Sequence, residues 1–150
     1  MNYNQNGNGG EKIRKIISVL LFLVIIAGCV QKPPDIQAGD IVAVSSPIMR
    51  GVVSVFMKIS NNGGRDDLVS AKTDIQGTIV ELHDVKDGKM VKVKNIKIPF
   101  NGRVEMVPGG LHIMIFKLPD EIKEGSEFTL YLGFEKSGEK AVKLKITKSV

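Results

Sequence analysis

The residues of this chain best suited to chemistry are two histidines and two methionines. His83 is followed after six residues by Met90, after twenty-one more by His112, and after one more by Met114. No other histidine is present. Thioethers are soft, uncharged ligands and imidazole is borderline, so two of each favour Cu(I) over Zn(II), which prefers thiolate, imidazole or carboxylate. A thioether needs no deprotonation to bind and cannot be lost to a disulfide, although sulfoxide formation remains a hazard. A blue-copper relay needs a cysteine thiolate beside two histidines. The single cysteine, Cys29, lies far upstream. The set therefore reads as a copper holder. Taken singly, each residue has a plainer explanation, since methionine commonly fills cores and a lone histidine is usually a surface residue. Their joint spacing carries the reading.

These residues need strands to bring them together. His112 and Met114 are two apart and share one face of a strand, with Leu111, Ile113 and Ile115 on the other. His83 and Met90 flank Asp87-Gly88, a dipeptide suited to a two-residue hairpin loop. In that register Lys86 faces Lys89, Val85 faces Met90 and His83 faces Lys92. His83 and Met90 are then diagonal neighbours on one face, ~7–8 Å apart at the backbone. A three-residue loop would send Met90 to the opposite face.

From Ile41 onward the hydrophobic period is two. Val53, Val55, Met57 and Ile59 alternate with more polar positions, as do Phe128, Leu130, Leu132 and Phe134, and Val142, Leu144 and Ile146. Asp87-Gly88, Asn101-Gly102, Pro108-Gly109-Gly110 and Lys136-Ser137-Gly138 supply turns. No convincing helical pattern follows residue 30. About eight short strands in one antiparallel two-sheet sandwich are expected, an all-β fold.

The beginning of the chain reads differently. Lys12, Arg14 and Lys15 precede an apolar run at residues 16–27, too short to span a bilayer and suited to a signal peptide. Ile26-Ala27-Gly28-Cys29 resembles the lipobox of bacterial lipoproteins. The resemblance implies cleavage before Cys29, acylation of its sulfur and an extracytoplasmic home, in a periplasm or at a cell surface, anchored to the membrane by lipid. The expected organisation is a signal peptide at 1–28, a lipidated cysteine with a proline-rich tether at 29–39, and a sandwich domain at 40–150. The net charge is +5, of which the leader accounts for +2. The scattered remainder gives no footprint for nucleic acid.

The domain resembles the PCu(A)C family of extracytoplasmic copper chaperones from about Val44 to Ile146. Phe56-Met57-Lys58-Ile59-Ser60-Asn61 looks like that family's Tyr-Met-x-Ile-x-Asn strand, and Glu81-Leu82-His83 its Glu-Leu-His. Pro108-Gly109-Gly110-Leu111-His112-Ile113-Met114 looks like its Pro-Gly-Gly-x-His-x-Met, the most specific piece. Carried over, the copper ligands are His83, Met90, His112 and Met114. The His83–Met90 interval is shorter than the family's, whose full distance falls on Lys94, a residue that cannot serve. The missing residues coincide with the Asp87-Gly88 turn, where hairpins tolerate a change of length. The resemblance implies a cupredoxin-like Greek-key β-sandwich that carries Cu(I) in a shallow, exposed site. It implies delivery to a membrane oxidase, at the Cu(A) centre of cytochrome c oxidase, through an oxidase subunit or assembly factor. No substrate bond is made or broken, so the protein is not expected to be an enzyme. Two alternatives share the scaffold: a lipoprotein that buffers or scavenges copper without serving an oxidase, and a structural or adhesion sandwich with a degenerate metal set.

Overall fold

A computed structural model describes residues 14–15 and 32–148. Apart from residues 14–15, the expected signal peptide lies outside the described residues, as does Cys29. Residues 32–148 form ten strands: β1 (Ile36–Ser45), β2 (Val53–Asn61), β3 (Asp66–Thr73), β4 (Ile79–Lys86), β5 (Lys89–Lys92), β6 (Ile96–Ile98), β7 (Arg103–Met106), β8 (His112–Phe116), β9 (Glu127–Phe134) and β10 (Gly138–Thr147). They run in the order β5-β4-β8-β2-β1-β10-β9-β3-β6, with β7 also paired to β2. All pairs are antiparallel except β1 with β10, where Ala43 lies opposite Ile146. That short parallel contact joins the two halves of the sandwich into one continuous sheet. The all-β, cupredoxin-like expectation is met, with ten strands in place of about eight.

Strict alternation builds the core. Val53, Val55, Met57 and Ile59 of β2 are buried, and so are Phe128, Leu130, Leu132 and Phe134 of β9. They meet Leu82, Ile113 and Ile115 from one half and Leu68, Ile96, Ile98, Leu144 and Ile146 from the other. The interior is mostly aliphatic and is closed without a disulfide among the described residues, which contain no cysteine.

Folded structure begins earlier than the boundary expected at residue 40. Gly64 N–H donates to the Lys32 carbonyl (2.8 Å) and Asn62 N–H to that of Asp35 (3.0 Å). β1 starts at Ile36, whose side chain is buried. A Cβ on Gly63 would stand 1.9 Å from the Pro33 carbonyl oxygen, so only glycine admits this approach. The prolines of residues 32–35 thus lie on the domain, within the 29–39 segment expected to be a tether.

Asn61 organises the same corner. Its Oδ1 accepts from the N–H groups of Asp35 and Gly63 (3.1 Å each), and its Nδ2 donates to the carbonyls of Gly64 (2.7 Å) and Pro99 (2.9 Å). Every donor and acceptor of the amide side chain is used. The asparagine that ends the Phe56–Asn61 motif therefore clamps three segments of chain.

A second buried polar residue, Asp66, fastens the β9–β10 turn. Its carboxylate accepts from the backbone N–H groups of Asp67, Lys136 and Ser137 and from the Ser137 hydroxyl. Burial alone would raise its pKa, but these four bonds outweigh that and hold the carboxyl below the usual aspartate range. A lowered folded-state pKa contributes stability that is complete above the unfolded value of about 4 and is lost as pH falls through the folded one. Melting temperatures followed from about pH 5 downward should therefore fall less steeply for Asp66→Asn than for the parent. Identical slopes would show that this carboxylate does not couple folding to protons.

Candidate metal centre

The centre lies on the outward face of β4, β8 and β2. The register pairs His83 with His112 and Glu81 with Met114 across β4 and β8, and Met114 with Ser54 across β8 and β2. Because side chains alternate, Glu81, His83, His112, Met114, Ser54 and Phe56 share one face, while Leu82, Ile113 and Ile115 enter the core. The imidazole centroids of His83 and His112 are 5.7 Å apart, with the rings inclined at 44°. Phe116 stands 6.1 Å from His83 and Phe56 stands 6.0 Å from His112.

Each donor is held by a partner that decides which of its atoms remains open. The Nδ1–H of His112 donates to the Gly110 carbonyl at 2.7 Å. A carbonyl can only accept, so the neutral ring presents its lone pair at Nε2. His83 is oriented the other way round: its Nε2 is 3.0 Å from Glu81 Oε2. That carboxylate also accepts from Lys92 Nζ at 2.7 Å. First Lys92 and then His83 keep the Glu81 carboxyl below the usual glutamate range. With Nε2–H donated to Glu81, the lone pair of His83 lies at Nδ1, a buried atom with no hydrogen-bond partner. The Sδ of Met114 accepts from the Ser54 hydroxyl at 3.2 Å. Carboxylate or carbonyl partners of this kind fix the tautomer and direction of metal-binding histidines.

Three of the four expected ligands are thus gathered: His83, His112 and Met114 are 8%, 4% and 2% exposed. Met90 stands apart on the edge strand β5, 53% exposed. The hairpin has the expected two-residue loop. Asp87 and Gly88 have φ of 52° and 72°, and Val85 lies opposite Met90 and His83 opposite Lys92. Met90 therefore shares the face of His83 as its diagonal neighbour, at the rim of the cluster. The shallow, exposed site implied by the family resemblance differs from what is found, because phenylalanines flank both imidazoles and only Met90 opens widely to solvent.

The positioning residues were less evident from sequence. Glu81 lies two residues before His83 in a strand, so alternation alone puts it on the same face. Ser54 meets Met114 only through pairing across sixty residues, which no local pattern announces. Among the described residues, no three His, Cys, Asp or Glu side chains form a group able to hold a metal. A hollow of about 400 Å³ between Met49, Leu118, Ile122 and Ile146 contains none of the four donors.

The fold is shared with solved structures. A copper-bound PCuAC domain from PmoF2 superposes with a TM-score of 0.64 at 20% identity, over 81% of this chain and 100% of that one. The apo PCuAC domain from PmoF1 gives 0.66 at 20% identity, over 79% and 99%. The Cu(I) form of DR1885 from Deinococcus radiodurans gives 0.62 at 20% identity, over 83% and 85%. These neighbours bear out the fold expected from the PCu(A)C resemblance. No curated protein matches the chain. Residues 36–146, from the start of β1 to the end of the core in β10, match the LpqE-like lipoprotein model, and the chain belongs to that family.

Proposed function

We propose that this domain carries one Cu(I) ion as cargo, held by His83 Nδ1, His112 Nε2 and Met114 Sδ, with Met90 as the fourth donor at the rim. The observation that carries the reading is the buried, unpartnered Nδ1 of His83. It stands beside a second imidazole whose own Nδ1 is occupied by a carbonyl. A buried polar atom left without a partner is costly, and a soft cation between the two rings removes that cost. The donors are neutral, so binding suits a monovalent ion and needs no proton release from a thiol. The copper named for the structural neighbours supports the same cargo.

In this reading the protein is an extracytoplasmic carrier, anchored through lipid on Cys29, that delivers copper to the Cu(A) centre of a membrane-bound cytochrome c oxidase. Met90 makes the first contact with the recipient. It is exposed while the other donors are buried, so ligand exchange starts at its sulfur. The burial of three donors also favours a second reading, in which the protein retains copper as a buffer. Anaerobic transfer to an isolated apo Cu(A) domain separates the two, because a buffer leaves that domain empty.

The test of the site is an anaerobic Cu(I) titration of the full chain against a chromophoric chelator. One tight equivalent is expected, weakened by roughly 10–100-fold in Met90→Ala, a loss on the scale of a supporting rather than a principal ligand. Equal affinity in Met90→Ala would move the fourth donor elsewhere. Absence of any tight equivalent would leave the sandwich a structural lipoprotein.

A further inference from the structure

We infer that the end of the sandwich formed by residues 32–35, 61–64 and 99–102 rests directly on the lipid bilayer, with Phe100 inserted at the interface. The inference rests on the lipid anchor proposed above at Cys29 and is independent of the copper reading.

The first observation is the reach of the chain. Cys29 precedes Lys32 by three residues, and an extended chain spans at most about 3.6 Å per residue. An acylated Cys29 is therefore held within about 11 Å of Lys32. Lys32 itself is bonded to the domain through Gly64. The link between anchor and fold is short, so the surface around Lys32 is held close to the headgroups.

The second observation is what that surface displays. The Pro99 carbonyl accepts from Asn61 Nδ2, and the Asn101 N–H donates to the Gly63 carbonyl. These bonds hold both chain neighbours of Phe100 against the segment that receives the tether. The turn is tight: Asn101 has a φ of 43°, and a Cβ on Gly102 would stand 2.6 Å from the Pro99 ring. Phe100 is 53% exposed. A single exposed aromatic is ordinary on a protein surface. An exposed aromatic within reach of an acyl anchor is placed as aromatic residues are at membrane interfaces.

Exposed cations lie on or beside the same segments: Lys32, Arg65 next to Gly64, and Arg103 next to Gly102. Arg103 is loosely paired with Glu105 at 3.6 Å, and Asp35 is an exposed acid on the same surface. These long side chains suit the phosphate level, with their stems toward the apolar region. The opposite end of β1 carries the rival apolar tip: Ile48, 91% exposed, and Met49, 48% exposed. It is separated from the first end by the ten residues of β1, about 33 Å.

The chain contains no tryptophan, so one introduced residue is a unique reporter. The full-length, acylated protein is reconstituted into phosphatidylcholine–phosphatidylglycerol vesicles as Phe100→Trp and, separately, as Ile48→Trp. Docking requires the Phe100→Trp emission to be blue-shifted and strongly quenched by lipids brominated on their acyl chains, with the Ile48→Trp emission unmoved. Equal or reversed quenching, in protein that floats with the vesicles, overturns the docking and leaves the anchor intact. Protein that does not float overturns both. Unchanged melting of each variant in detergent shows that the reporters leave the fold undisturbed, as their exposure requires.

Discussion

His112→Ala should cost the protein its Cu(I) affinity by more than the roughly 10–100-fold expected for losing a supporting partner. Three features single this residue out. It is buried at 4% exposure, so no water readily replaces its nitrogen. Its tautomer is set by the Gly110 carbonyl, so Nε2 is presented without reorganisation. It also lies directly opposite His83 in the β4–β8 ladder, and losing one ring leaves the unpartnered Nδ1 of the other with nothing to share. The cavity left beside Phe56 should lower stability only moderately, so melting in the absence of copper separates ligation from folding. An affinity within a few-fold of the parent would mean that the copper donors lie elsewhere.

The largest effect on folding is expected at Asn61. Its side chain makes four hydrogen bonds, all to backbone groups of residues just outside the strand ladders: Asp35, Gly63, Gly64 and Pro99. Each is worth about 1 kcal/mol net. Asn61→Ala also strands buried partners at Gly63 and Gly64. A loss of about 3–5 kcal/mol follows, a large part of the roughly 5–15 kcal/mol by which domains are stable. Urea unfolding should show the midpoint collapse. Asn61→Asp tests the chemistry of the clamp, because it keeps the acceptor for Asp35 and Gly63 but turns a second oxygen toward the carbonyls of Gly64 and Pro99. The aspartate should therefore be nearly as damaging as alanine. A midpoint close to the parent's in either variant would show that the clamp is ornamental.

Much of this architecture was legible because β2, β9 and β10 alternate cleanly. A two-residue period on a half-buried sheet can mean little else. Two other strands were obscured by irregularity. The pairing of β1 with β2 shifts between Gly39 and Val42, where Asp40 has a φ of 50°, and that of β3 with β9 shifts between Leu68 and Ser70. A bulge slips the alternation by one residue and hides a strand from a reading based on period. At the site, His112 and Met114 could be assigned to one face from spacing alone, and the Asp87-Gly88 turn foretold the register that makes Met90 the diagonal neighbour of His83. Ser54 became visible only through strand pairing. The docking of residues 32–35 was hidden for a different reason: two prolines read as a spacer, and their partners lie some thirty residues downstream.

That docked root also determines how the molecule can meet another. A carrier on a long leash samples a hemisphere of heights and orientations, whereas one anchored as proposed at Cys29 would stand as a post. Phe56, beside His112, is five residues along β2 from Asn61, which puts the donors about 17 Å above the root. The donor face looks sideways from the sheet. For an anchored molecule the search for a recipient becomes lateral travel in two dimensions at one altitude, and only a recipient with an opening near that altitude can be served.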